Sequence, residues 1–220
     1  MTDHAFSPDA RDALYRIIAA RRDMRHFSGG TVAPALLARL LEAAHQAPSV
    51  GLMQPWRFIR IRSPRLRQAI HQLVETERQQ TALALGERQQ EFLRLKVQGI
   101  AECAELLVVA LADQREQQIF GRRTLPEMDV ASVACAIQNL WLAARAEGLG
   151  MGWVSLFDPV ALGQLLGIPD GGKPLAILCL GPVHEFYPAP MLALEGWTSP
   201  RPLAGLLSED RWEDTCPPSA

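Results

Sequence analysis

The segment from Met128 to Glu147 is apolar around most of a helical circumference and stops at Gly148-Leu149-Gly150. A helix with a polar face can lie on a surface, whereas one lacking it has to be covered on nearly all sides. Glycine supplies the left-handed residue that commonly closes such a helix. The rest of the chain must therefore surround this segment with a sheet or with a second subunit, and it is the best candidate for the core of a dimer.

Four segments have the pattern of strands. Leu106 to Ala112 is a continuous apolar run with two valines, as expected of a strand covered on both faces. Trp56-Arg57-Phe58-Ile59-Arg60-Ile61-Arg62 alternates apolar with basic residues, which predicts a half-exposed first strand. Gly152 to Leu156 reads as a short strand, and Asp158-Pro159 then supplies an N-cap and first-turn proline for a helix bearing Leu162, Leu165 and Leu166. Pro174 to Gly181 is again strand-like.

Arg11 to Arg22 carries Ala13, Leu14, Ile17 and Ile18 at helical spacing, and Ala35 to Ala47 follows Pro34 as a second helix. Residues 65 to about 103 favour helix by composition, with an interruption at Gly86, and fit two helices or a mobile lid. The Pro- and Gly-rich tail from Tyr187 to Ala220 is expected to wrap a surface of this subunit or of a second one.

At 220 residues the chain is expected to form one domain, spanning residues 1–220. Its 22 Lys and Arg against 24 Asp and Glu leave a charge of −2, so no global basic field gathers nucleic acid or anionic lipid, and any anion has to be held locally. No apolar run approaches the roughly 20 residues of a membrane-spanning helix. The first residues lack the basic-then-apolar order of a secretory signal, and a cytoplasmic location is the expectation. Cys103, Cys135, Cys179 and Cys216 are scattered, without a Cys-x-x-Cys pair or clustered histidines, so no metal is expected. Cys103, Cys135 and Cys179 lie among apolar residues and read as small buried side chains.

Three segments can carry chemistry. Arg21-Arg22-Asp23-Met24-Arg25 places three guanidinium groups within five residues, suited to phosphate oxygens but equally to a solvated helix end. Asp23 among them should stay ionised and could orient them or act as a base. Ala47-Pro48-Ser49-Val50-Gly51-Leu52-Met53-Gln54-Pro55-Trp56 is a stiffened loop whose Ser49 and Gln54 suit the edge of a heterocycle, or merely connect a helix to a strand. In Met151 to Asp158, Ser155 and Asp158 stand at the end of an apolar strand, where ligands often bind, although local capping is the commoner use. Dinucleotide-binding glycine loops, phosphate-binding P-loops and serine-esterase elbows are missing from the sequence.

These three segments in this order resemble the nitroreductase superfamily, over about residue 11 to Trp212. The resemblance implies an α+β fold, a central mixed, mainly antiparallel sheet flanked by helices, in an intertwined homodimer with FMN in sites shared between the subunits. Arg21, Arg22 and Arg25, with Met24 in the same segment, resemble the superfamily's N-terminal phosphate grip, and Arg201 in Pro200-Arg201-Pro202-Leu203 its C-terminal one. Asp23, where ordinary members usually carry serine, together with the Ala47–Trp56 loop and Gly152-Trp153-Val154-Ser155-Leu156-Phe157-Asp158-Pro159, is similar to the flavin-fragmenting branch. That branch implies reduced FMN as a substrate, O2 as co-substrate, no metal, and 5,6-dimethylbenzimidazole with erythrose 4-phosphate as products, on the way to the lower ligand of cobalamin. A separate flavin reductase would supply the reduced FMN.

By the same resemblance Asp23 is the acid/base near the ribityl chain and Ser155 acts near the reactive centre of the ring. Ser49, Met53 and Gln54 line the ring, Leu111 and Val154 pack beside it, and Lys96 reaches from a helical cover at about 66–103. The tail at about 187–220 forms a C-terminal extension. Two other readings share these residues: a nitroreductase or flavin reductase that keeps its FMN and takes hydride from NAD(P)H, and a flavin-binding protein without catalysis.

Overall fold

The computed structural model describes residues 4–212. Its centre is a four-stranded sheet in the order β1-β2-β4-β3, where β1 is Trp56–Ile61, β2 Glu105–Leu111, β3 Gly150–Val154 and β4 Lys173–Gly181. All three strand pairs are antiparallel, and the parallel component is a single bridge between Asp23 and Met151 on the outer side of β3. β3 begins two residues earlier than its sequence pattern predicts, because Gly150 and Met151 already pair with Gly181 and Leu180.

Every residue of β2 is buried, and its side chains alternate between two cores. Leu107, Val109 and Leu111 face a core shared with α2 (Pro34–His45) and α5 (Met128–Ala146). Leu106 and Val108 face a core shared with Ile70 and Val74 of α3 (Pro64–Ala84) and Leu162 of α6 (Pro159–Leu166). Helices on both faces explain why this strand is apolar from Leu106 onward instead of alternating. The Asp158 cap forms as expected, its carboxylate accepting from the backbone N–H groups of Val160 and Ala161.

Ile70 and Val74 belong to the sheet core, so the first half of α3 is a structural layer. Only its far end joins α4 (Gln89–Arg94) across the turn at Gly86, whose φ is 55°, and there Ala82, Phe92 and Leu95 form a small core of their own. Of the residues at about 66–103, Phe92, Leu95 and Val97 line the cavity described below.

The side of α5 turned away from the sheet carries Val130, Ala131 and Cys135, all exposed. Cys135 is thus not the buried thiol its apolar neighbours suggested, since its helical position points outward, whereas Cys103 and Cys179 are buried. Cys216 lies outside the described residues. The helix α1 (Pro8–Ala20) buries none of its residues, and Leu14, Tyr15 and Ile18 on it are exposed. No helix among the described residues is long and apolar enough to cross a membrane, and no metal-binding cluster of acidic, histidine or cysteine residues occurs among them.

Candidate functional site

β3 is the last strand of the sheet, and its outer edge is occupied by the segment that follows α1. Met24 N–H donates to the Met151 carbonyl at 2.9 Å, and the Met24 side chain is fully buried beneath the sheet. Successive side chains of an extended segment point to opposite sides, so burying Met24 turns Asp23 and Arg25 together the other way. Asp23 Oδ1 accepts the Trp153 N–H at 3.0 Å, and Arg25 Nη2 donates to Asp23 Oδ2 at 2.5 Å and to the Trp153 carbonyl at 2.9 Å. The Tyr187 hydroxyl accepts the N–H groups of Arg25 and His26 at 3.1 and 3.2 Å.

Gly152 makes this docking possible. A Cβ there would lie 2.2 Å from the Met24 carbonyl oxygen, 3.3 Å from Arg25 Nη1 and 3.4 Å from Asp23 Oδ1. Partial burial, with 40% of the side chain still exposed, raises the Asp23 pKa above its ordinary value, against the opposing pull of Arg25, the Trp153 N–H and Arg21.

Asp23, Arg21, Arg22 and Arg25 line the mouth of a 340 Å³ cavity whose other walls are apolar, chiefly Phe92, Leu95, Met191 and Trp197. Trp197 packs against Phe92 at 6.1 Å and carries the Arg88 guanidinium over its ring at 3.5 Å, which ties the chain beyond α7 (Met191–Leu194) to α4. Arg21 stacks over Trp141 of α5 with its guanidinium carbon 4.7 Å from the ring centroid. Arg22 donates to the carbonyls of Ala19, Arg21 and Pro188. Of the guanidinium nitrogens at this cavity, Arg22 Nε and Arg25 Nη1 are buried without a hydrogen-bond partner among the described residues.

The loop between α2 and β1 is a separate feature. Ser49 Oγ accepts the Gln54 N–H and Ser132 Oγ of α5 accepts the Val50 N–H, each at 3.0 Å. Gly51, Leu52 and Gln54 have φ of 53°, 53° and 48°, and non-glycine residues in this left-handed region are uncommon and concentrate at ligand-binding loops. The loop leans on Phe120, whose carbonyl would be 3.0 Å from a Cβ on Gly51. Behind it, Arg115 and Arg122 both bind the buried Asp129 carboxylate, at 2.8 and 3.2 Å.

Within one chain these features do not meet. The loop enters β1 at one margin of the sheet, and Asp23 flanks β3 at the other, roughly 19 Å away at about 4.8 Å per strand spacing. α5 spans the gap, touching the loop through Ser132 and the arginine cluster through Trp141, about 14 Å apart at 1.5 Å per residue.

Of the residues selected by sequence, Arg21, Arg22, Asp23 and Arg25 therefore converge, and Ser49, Met53 and Gln54 stand apart from them. Ser155 is exposed just past the end of β3, two residues beyond the Trp153 N–H that holds Asp23. The side chains of Met24, Leu111 and Val154 are buried in the cores. Lys96 pairs with Glu102 at 2.6 Å, and Arg201 is exposed in the tail. Gly152, Tyr187, Trp197 and Ser132 were not selected: each acts through a partner distant in sequence, and only the strand-glycine rule pointed at Gly152.

A profile of the nitroreductase family matches residues 18–182. The 5,6-dimethylbenzimidazole synthase of Rhodospirillum rubrum is 41% identical over 204 residues, covering 91% of this chain and 96% of that protein. That of Rhodobacter capsulatus is 40% identical over 195 residues, covering 87% and 94%. Among solved structures, a BluB-like flavoprotein from Clostridium difficile superposes with a TM-score of 0.69 at 18% identity, covering 90% of this chain and 99% of that one.

Proposed function

Because the chain belongs to the nitroreductase family, we propose that it converts reduced FMN and O2 into 5,6-dimethylbenzimidazole and D-erythrose 4-phosphate; the first of these products is the one for which its relatives are named. The geometry favours this reading through one observation: a carboxylate, Asp23, is pinned at the mouth of a guanidinium-lined cavity. A ligand with an anionic end, a hydroxylated chain and a flat apolar body suits such a mouth. The buried, unpartnered Arg22 Nε fits a site that is completed by an acceptor.

Bound reduced FMN supplies the electrons that oxygen takes up, and its own ring and side chain become the products. Asp23 accepts and returns protons at the ribityl hydroxyls, and Trp153 N–H and Arg25 fix the two carboxylate oxygens for that task. Arg21 and Arg201 grip the phosphate, with Arg22 holding the end of α1 that presents Arg21. Ser155, following β3, hydrogen-bonds the ring, and Ser49, Met53 and Gln54 line its other edge.

The width of the sheet between that loop and Asp23, roughly 19 Å at about 4.8 Å per strand, supports a homodimer in which the loop of one subunit meets the Asp23 cluster of the other. The exposed apolar faces of α1 and α5 supply surface for such pairing. The part of the chain around α4 and Trp197 covers the cavity and excludes water. A separate flavin reductase delivers the reduced FMN.

The test is to mix the protein with chemically reduced FMN in air and chromatograph the products. A 5,6-dimethylbenzimidazole peak supports the proposal; intact reoxidised FMN with stoichiometric peroxide overturns it in favour of a nitroreductase or flavin reductase. Asp23→Asn should retain flavin binding and lose about 10²- to 10⁴-fold in product formation. Since the base form of Asp23 is the active one and its pKa is raised, activity should fall with decreasing pH at values above the ordinary carboxylate range.

A further inference from the structure

We infer that Arg25 is a positioning residue that keeps Asp23 ionised and aimed, and that it is not one of the phosphate ligands. The inference rests on Asp23 being the acid/base of the proposed reaction. Three arginines crowd the cavity mouth, and by charge alone each suits an anion. Their surroundings differ.

Arg25 is turned inward, with only 11% of its side chain exposed. Its Nη2 is committed twice, to Asp23 Oδ2 at 2.5 Å and to the Trp153 carbonyl at 2.9 Å. Its Nη1 is buried beside Gly152, where a Cβ would approach to 3.3 Å. The backbone N–H on the same residue is held by the Tyr187 hydroxyl, which also meets His26 Nδ1 at 2.6 Å. An arginine grips phosphate most strongly with two guanidinium nitrogens presented together toward the ligand. Arg25 could present them only by abandoning Asp23. Arg21 lies flat on Trp141, and none of the described hydrogen bonds occupies its guanidinium.

The pairing matters because the carboxylate borders an apolar space. Among the described residues, the charged groups lining that cavity besides Asp23 are Arg21, Arg22 and Arg25; the α4 and α7 walls contribute apolar side chains. Burial pushes the Asp23 proton affinity up, and Arg25 is the largest influence opposing it. Removing the Arg25 charge would therefore leave burial to prevail and favour the neutral acid. The Trp153 N–H alone would then orient one oxygen and leave the other unfixed.

The test uses Arg25→Met and Arg25→Lys in the full-length protein, with two measurements that do not depend on turnover. One is the titration of the Asp23 carboxyl carbon by NMR in the ligand-free protein. The other is the affinity ratio for FMN over riboflavin, read from flavin fluorescence, which isolates the contribution of the phosphate.

Arg25→Met should move the Asp23 midpoint upward and leave the FMN-to-riboflavin ratio within twofold. In turnover it should lower kcat about tenfold or more at neutral pH with little change in KM, and shift the acid limb to higher pH. Arg25→Lys keeps the charge, so its midpoint should lie between those of the wild type and Arg25→Met, with the ratio again unchanged. A tenfold or greater loss of the FMN-to-riboflavin ratio, or a stationary Asp23 midpoint, would overturn the inference. If Arg25→Met fails to fold, the affinity ratio and midpoint of Arg25→Lys decide by the same criteria. Should the wild type form no benzimidazole, the proposed reaction fails, whereas the titration and affinity ratio still decide what Arg25 does.

Discussion

Gly152→Ala tests the docking of the Asp23 segment most sharply, because it adds one methyl group and no charge. The new Cβ would lie 2.2 Å from the Met24 carbonyl oxygen, where ordinary contact begins near 3.4 Å. The obstacle is backbone on both sides, so no side-chain rotation relieves it, and the segment 23–25 has to retreat from β3 by about 1 Å. That retreat lengthens two hydrogen bonds, Met24 N–H to Met151 O at 2.9 Å and Trp153 N–H to Asp23 Oδ1 at 3.0 Å.

At about 1 kcal/mol for the neutral bond and about 1.5–3 for the charged one, the loss is about 2.5–4 kcal/mol. In a chain of this size that lowers Tm by about 5–16 °C. Displacing a proton-transfer group by 1 Å can reduce turnover by about 10²-fold. Thermal unfolding followed by circular dichroism, with the benzimidazole assay on the same preparation, measures both. A variant that keeps its Tm within 1 °C and its full turnover would refute the close approach of the two backbones.

Three further outcomes follow from the geometry. Ser132→Ala strips the Val50 N–H of its partner, which should cost about 1–3 kcal/mol and raise KM for reduced FMN more than it lowers kcat; steady-state kinetics with an unchanged KM would show that this loop does not line the ring. Trp197→Ala removes the contact between the tail and α4, and the ratio of peroxide to benzimidazole should rise several-fold, whereas a constant ratio would deny that region a covering role. Cys135→Glu places a charge on the outward apolar face of α5 and should shift the protein to monomers in sedimentation velocity, with flavin affinity lost in parallel; a stable dimer would rule out that face as the contact.

The strands and the long helix were legible because their signals are local. Six consecutive apolar residues in β2, the glycines closing α5 and the Asp158-Pro159 cap each act within a few positions. The start of α1 was equally local, in Ser7 and Pro8, yet the apolar spacing drew attention to Arg11 and hid it. What sequence did not reveal is set by distant partners. Arg25 and Arg22 look alike in the chain, but one meets Trp153, 128 residues away, and the other Pro188, 166 residues away. Cys135 was misjudged for a related reason: apolar neighbours in sequence say that a helix is covered, not which of its sides the same subunit covers.

The distance between the ring loop and the carboxylate has a genetic corollary. If each pocket takes its loop from one subunit and its Asp23 from the other, a chain defective in the loop and a chain defective at Asp23 complement each other on mixing. In the hybrid, one pocket inherits both lesions and its neighbour inherits neither, so two dead proteins would restore activity at half of the hybrid's pockets. On that proposal, the width of a single sheet would make the working unit a pair of chains.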